Sequence, residues 1–168
     1  THLMSFAGPI KRICKDTFAF SEEQVNGSQK ETPDPRYRRA DGTYLTPREA
    51  MQRLGTEWGR ACYPQVWVEL GLRLAKEELA AGRNVVFTDV RFINEAEAIA
   101  KAGGVIVRIV RPSADGASST HPSEREMDSP RFRLGVAVNM DNHGTLEELR
   151  VTVVTVLQML EQHYFEVK

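Results

Sequence analysis

Apolar positions along the chain fall into short unbroken runs and helical stripes, set apart by two long polar stretches. The clearest run is Val85 to Thr88, apolar or β-branched throughout, which is how a strand buried on both faces of a parallel sheet reads. A second run, Val105 to Val110, follows a helical pattern over Asn94 to Ile99 that Gly103-Gly104 closes. Strand, helix and strand at this spacing predict a βαβ unit with a right-handed crossover. Upstream, His2 to Ala7 predicts a short strand, and Gly8-Pro9 opens a helix over Ile10 to Phe20. Thr46-Pro47-Arg48-Glu49 combines an N-cap, a proline at the first helical position and the second half of a capping box. The helix it starts should turn Ala50, Met51, Leu54 and Trp58 inward, with Arg48 and Gln52 on another face. Tyr63-Pro64 interrupts, Trp67 to Ala81 resumes the helical pattern, and Gly82 stops it. Val136 to Val138 predicts a short last strand ending in Asn139. Thr145, with Glu148 three positions on, then opens a helix to Phe165 whose stripe of Leu146, Leu149, Val153, Val156, Leu157 and Leu160 suits covering a sheet.

The polar stretches lie at 21–45 and 113–133. Asn26-Gly27, Pro33, Pro35 and Asp41-Gly42 make the first an excursion or lid-like loop rather than core. The whole pattern predicts one α/β domain over residues 1–168. Composition adds exclusions. A net charge of −1 argues against a broadly basic nucleic-acid surface, even with Arg36, Arg38 and Arg39 clustered beside Tyr37. No run reaches the length that spans a bilayer, and no signal peptide is visible. Cys14 and Cys62 are too few for a metal knuckle or a disulfide framework, so a reducing cytoplasm is the simplest setting, and no metal-ligand set is expected.

Candidate chemistry gathers at Asp89 and Arg91, which arrive where the central apolar run stops. Ligands of open α/β sheets bind outside the carboxyl ends of the strands, so a carboxylate and a guanidinium there are placed for chemistry. The plainer reading is an Asp capping the next helix and an Arg paired with it. Lys11, Arg12 and Lys15 sit in the first turns of their helix, where cations oppose the macrodipole; a bound anion would supply a reason, and a solvated basic face is the alternative. Trp67 reads as core before it reads as a ligand platform. His121 stands without a second His or Cys nearby.

Taken in order, Ser5-Phe6-Ala7-Gly8-Pro9-Ile10-Lys11, Met51-Gln52-Arg53-Leu54-Gly55-Thr56-Glu57 leading to Trp67-Val68, Thr88-Asp89-Val90-Arg91-Phe92 with Glu95, Val107 to Pro112 with His121 and Glu124, and Asn139 to Leu149 resemble the bacteriophage-type deoxynucleoside monophosphate kinases. These are a branch of the P-loop nucleotide kinases. The resemblance implies a three-layer fold, a parallel sheet flanked by helices. It also implies transfer of the γ-phosphoryl of ATP to a deoxynucleoside 5′-monophosphate with Mg²⁺ between the phosphates, in the cytoplasm of a phage-infected or prophage-carrying bacterium. Such chemistry asks a protein mainly for positioning and positive charge. By the resemblance, Lys11 binds the acceptor phosphate, Arg48 binds the acceptor or the developing charge, and Trp67 stacks on or walls the base. Asp89 orients a metal-bound water or the phosphate loop, and Arg91 grips acceptor phosphate. Gly55 and Thr56 let the helix approach the nucleotide. The stretch 113–133 serves as a lid, with Arg125, Arg131 or Arg133 reaching ATP.

One departure is large. Kinases of this type begin with a strand and a loop of the form GxxxxGK[ST], and no such loop occurs in these residues. The missing strand should lie mid-sheet, between Val85–Thr88 and Val105–Val110, in an upstream segment of roughly 30 residues, about the length of a βα unit. Without it the chain should not phosphorylate anything. The alternative is a nucleotide-binding or assembly protein without kinase activity; a homodimer, and the preferred base, stay open.

Overall fold

β1, His2–Met4, pairs in parallel with β2, Val85–Phe87, in the register His2 with Val85, Leu3 with Val86 and Met4 with Phe87. The computed structural model describes residues 1–111, 126–127 and 129–165. Its contacts divide the chain into two compact units, Thr1–Val90 and Arg91–Lys168, where the sequence predicts a single domain.

In the first unit, α1 (Gly8–Phe18) follows β1 with Pro9 in its first turn. Then come α2 (Glu22–Asn26), a 3₁₀ turn (Ser28–Glu31), α3 (Pro47–Gln52) and α4 (Val66–Ala80). The core cluster joins Ile10 and Cys14 of α1, Phe20, Val25 of α2, Ala50 of α3 and Trp67 of α4. One of these residues, Val25, lies within 21–45, which the sequence reads as an excursion or lid-like loop rather than core. Val25 is fully buried, Ser21 caps α2 with a reciprocal Gln24 bond, and an isolated bridge ties Arg38 to Tyr44. Burying one valine contributes about 1.5–3 kcal/mol, enough to hold α2 down on α1.

Between α3 and α4 the helix widens into a π-helical segment, Arg53–Arg60, in which the Ala61 N–H reaches back to Thr56. The wider turn shifts the phase of the stripe. Gly55 and Gly59 face inward and Trp58 is 56% exposed, so the predicted inward Trp58 is wrong. α4 lies close to the strands because Gly71 has no side chain: a Cβ there would come within 2.6 Å of Phe6, whose ring stacks on Phe87 at 4.3 Å. Gly82, at φ +73°, ends the turn after α4 as predicted.

The second unit runs α5 (Ile93–Lys101), β3 (Val107–Val110), α6 (Pro130–Leu134), β4 (Val138–Asp141) and α7 (Leu146–Leu160), ending in a π turn (Glu161–Phe165). β3 and β4 pair in parallel, Val107 with Val138 through Val110 with Asp141, so the last strand lies later than the predicted 136–138. Thr145 and Glu148 form the predicted capping box of α7, and Leu160 is buried. The stripe only partly covers anything, since Leu146 is 66% and Leu157 52% exposed.

Among the described residues the strands make two two-stranded parallel sheets, β1 with β2 and β3 with β4; β2 and β3 do not pair, and the expected arrangement, with another strand between them, did not require it. Nor is either strand buried on both faces, with Val86 at 43% and Ile109 at 60% exposure. No helix of the described residues is long and apolar enough to cross a membrane.

Candidate functional site

The parallel pair β1–β2 delivers its carboxyl ends to the start of α1, and Asp89 is the residue that joins them. Its Oδ1 accepts the Phe6 N–H at 2.9 Å and its Oδ2 the Ala7 N–H at 3.0 Å. The Gly8 N–H is held by Ser5 O, and Pro9 has none to offer. The backbone amides of Phe6 and Ala7, just ahead of α1, are therefore taken by a carboxylate of the chain itself. A ligand phosphate at this place would not meet those two amides and would look to side chains.

Those side chains are present. A cleft of about 410 Å³ opens beside the strand ends, bounded by Met4, Ser5 and Thr88. From α1 it is lined by Lys11, Arg12 and Lys15, and from α2 by Glu22 and Asn26. Lys15 pairs with Glu22 at 2.9 Å, and that ammonium holds the Glu22 carboxyl below the usual carboxylate range. Lys11 donates to Asn26 Oδ1 at 2.7 Å, and the Arg12 side chain makes no hydrogen bond or ion pair among the described residues. Three cations meet one carboxylate, an excess that suits an anion of two charges at the place where open α/β sheets take ligands. A second hollow, about 480 Å³, lies across α1 and is lined mainly by apolar groups with Trp58 at its rim; it has neither strand ends nor a cation excess, since Arg53 and Glu57 stand 3.9 Å apart.

The walls of the cleft are braced by a residue that nothing in the pattern of the chain singles out. Asp34, 4% exposed, accepts Arg36 Nε at 2.9 Å, the Arg36 backbone N–H at 3.1 Å and Gln24 Nε2 of α2 at 2.8 Å. The Arg36 guanidinium holds its carboxyl far below the usual range. Arg36 thus belongs to an internal tie rather than to a basic surface cluster, and Tyr37 adds a hydroxyl bond to Phe18 O.

A curated relative decides the family. Over 170 residues the chain is 35% identical to a protein of Acanthamoeba polyphaga mimivirus named "Putative deoxynucleotide monophosphate kinase", covering 94% of this chain and 83% of that protein. The chain belongs to the deoxynucleotide monophosphate kinase family. No protein-family model matches it.

Against that family the remaining candidates separate. Lys11 lines the cleft; Arg48 lies at the exposed start of α3 and pairs with Glu31. Gly55 does make a close approach possible, but to Ile10: a Cβ there would sit 3.0 Å from its Cδ1, so the space serves helix packing and not a nucleotide. Thr56 supplies the carbonyl that closes the π turn. Trp67 is 4% exposed and its Nε1 donates to Gly55 O at 2.8 Å; it belongs to the core cluster and does not line the cleft, so it presents no open stacking face. Asp89, with both oxygens on backbone amides, acts on the chain start and not on a helix of its own. α5 is capped instead by Glu95, 3% exposed, whose Oε2 accepts the Arg91 and Phe92 N–H groups at 2.9 and 3.0 Å, and by Glu126, which accepts the Ile93 N–H. Arg131 is bound to Glu97 of α5 at 2.6 Å, and Arg133 is exposed on α6. His121 and Arg125 lie outside the described residues, as does most of the 113–133 stretch. The described residues hold no cluster of His, Cys, Asp and Glu fit for a metal ion.

Proposed function

We propose that the protein is the acceptor-binding body of a kinase that moves the γ-phosphoryl of ATP to a deoxynucleoside 5′-monophosphate, and that the cleft between α1 and α2 holds the acceptor phosphate. The observation that carries this reading is the cation excess of Lys11, Arg12 and Lys15 over Glu22 at the carboxyl ends of β1 and β2. Lys11 holds the dianion by a charge-assisted hydrogen bond, and Arg12 adds its fork. Asp89 fixes the Ser5–Gly8 turn that sets Lys11 at the cleft mouth, so its part is to orient protein and not metal-bound water.

ATP and Mg²⁺ are what the family implies, but these residues do not fit the donor: they contain no GxxxxGK[ST] loop. When bound, ATP would supply the transferable phosphoryl group; everything these residues contribute is on the acceptor side.

Calorimetric titration with each of the four deoxynucleoside monophosphates tests the site. Lys11→Ala should weaken binding about ten- to a hundredfold, the scale of one hydrogen bond to a charged group. Unchanged binding would remove the cleft from the acceptor site. ADP release measured on the full gene product then separates kinase from binder, since a product that binds monophosphates but releases no ADP favours the non-catalytic reading.

A further inference from the structure

The cations of the cleft differ in their neighbours. Lys15 is spent on Glu22 Oε2 at 2.9 Å. Glu22 Oε1 accepts from Asn26 Nδ2, one turn further along α2. With its NH₂ committed to that carboxylate, the Asn26 amide turns its carbonyl oxygen to Lys11, whose Nζ donates at 2.7 Å. Lys15, Glu22, Asn26 and Lys11 thus form one chain of polar contacts along the cleft wall, and all four line the cleft. Its two ends are unlike: an ion pair at Lys15, a neutral amide at Lys11.

We propose that Asn26 is a positioning residue for the acceptor phosphate, holding the Lys11 ammonium at the cleft with its charge whole. This rests on the acceptor-phosphate reading of the cleft. Lysine is a point charge on a flexible four-carbon stem, and ordering it only when the ligand arrives would weaken binding. A carboxylate at position 26 would order it too, but would compete with the phosphate for the same ammonium. An amide orders without competing. Glu22 contributes twice, fixing which way the amide faces and occupying Lys15.

The test is a set of variants of the full gene product titrated with deoxynucleoside monophosphates, each checked by thermal melting. Asn26 is exposed, so none should lose the fold. Asn26→Ala should weaken binding about two- to fivefold, because Lys11 is freed but still charged, and Asn26→Asp should weaken it at least about tenfold, the like effect of an added counter-charge. Made in a Lys11→Ala background, Asn26→Ala should change nothing further, since its effect passes through that ammonium, whereas Asn26→Asp should keep only the direct repulsion of its carboxylate on the phosphate. Equal losses in Asn26→Ala and Asn26→Asp, or a full additional loss from Asn26→Ala in the Lys11→Ala background, would overturn the positioning role while leaving the acceptor site intact. If Lys11→Ala itself binds like the parent protein, the acceptor-site reading fails and this inference with it.

Discussion

Asp89 Oδ1 accepts the backbone N–H of Phe6 at 2.9 Å across 83 residues of sequence, and the adjacent oxygen takes the next amide, Ala7. One carboxylate thereby fastens the exit of β2 to the entrance of α1. The contact takes two backbone amides just ahead of α1 out of reach of any anion, and under the proposed function that leaves the side chains of Lys11 and Arg12 to meet the phosphate. Phe6 itself is 3% exposed and stacked on Phe87, so the tie joins the cleft to the packed interior.

Asp89→Asn should therefore destabilise the first unit. An amide keeps one accepting oxygen and replaces the other with a donor, which leaves a partly buried backbone N–H facing NH₂ in place of an acceptor. Losing a partner for such a group costs about 1–3 kcal/mol. Urea unfolding should show the midpoint falling with no change in slope; an unshifted midpoint would mean that water replaces the bond without loss.

Asp34 makes stability depend on acid. Its carboxyl titrates far below the unfolded value, first because of Arg36 and then through Gln24 and the Arg36 amide, with burial opposing them. A depressed folded-state pKa contributes stability that is fully present above the unfolded value of about 3.9 and is lost as pH falls toward the folded one. Unfolding free energy should fall as pH drops below about 4, and Asp34→Asn should lower stability at pH 7 while flattening that acid-side decline. Because the Arg36 side chain is 47% exposed, water and salt screen part of the effect. A parallel pH profile for the two proteins would show that other carboxylates dominate.

What was legible in the residues was what rests on near neighbours. The Thr46 cap, the Thr145–Glu148 box and the turn at Gly82 are decided within four positions of chain, and each stands where the pattern put it. Three things were not. The π turn over Arg53–Arg60 moved Trp58 outward, because a helical phase counted at 3.6 residues per turn does not survive an i→i+5 closure. Asp89 reads as a cap for the helix that follows it, and only the fold brings it to Phe6. Asp34 sits in so polar a stretch that nothing marks it as buried; Phe20 and Val25, two isolated apolar residues beside the same stretch, were the available hint that it packs.

Gly59→Ala gives the sharpest test of the packing behind the site. A Cβ at Gly59 would lie 2.5 Å from Cζ2 of the Trp67 ring and 2.8 Å from its Nε1, whose hydrogen bond to Gly55 O would have to shift as well. Trp67 cannot easily yield, being 4% exposed within a cluster that includes Ile10 and Cys14. Overpacking of this kind typically costs about 1–3 kcal/mol. Gly82→Ala is the contrast: its Cβ would meet nothing within 4 Å, so any loss comes from the positive φ of +73° alone. Both variants should lower the urea midpoint, but only Gly59→Ala should change the fluorescence of Trp67, measured in a Trp58→Phe background to silence the exposed indole. If Gly59→Ala leaves that emission unchanged, the ring has room that the packing does not show.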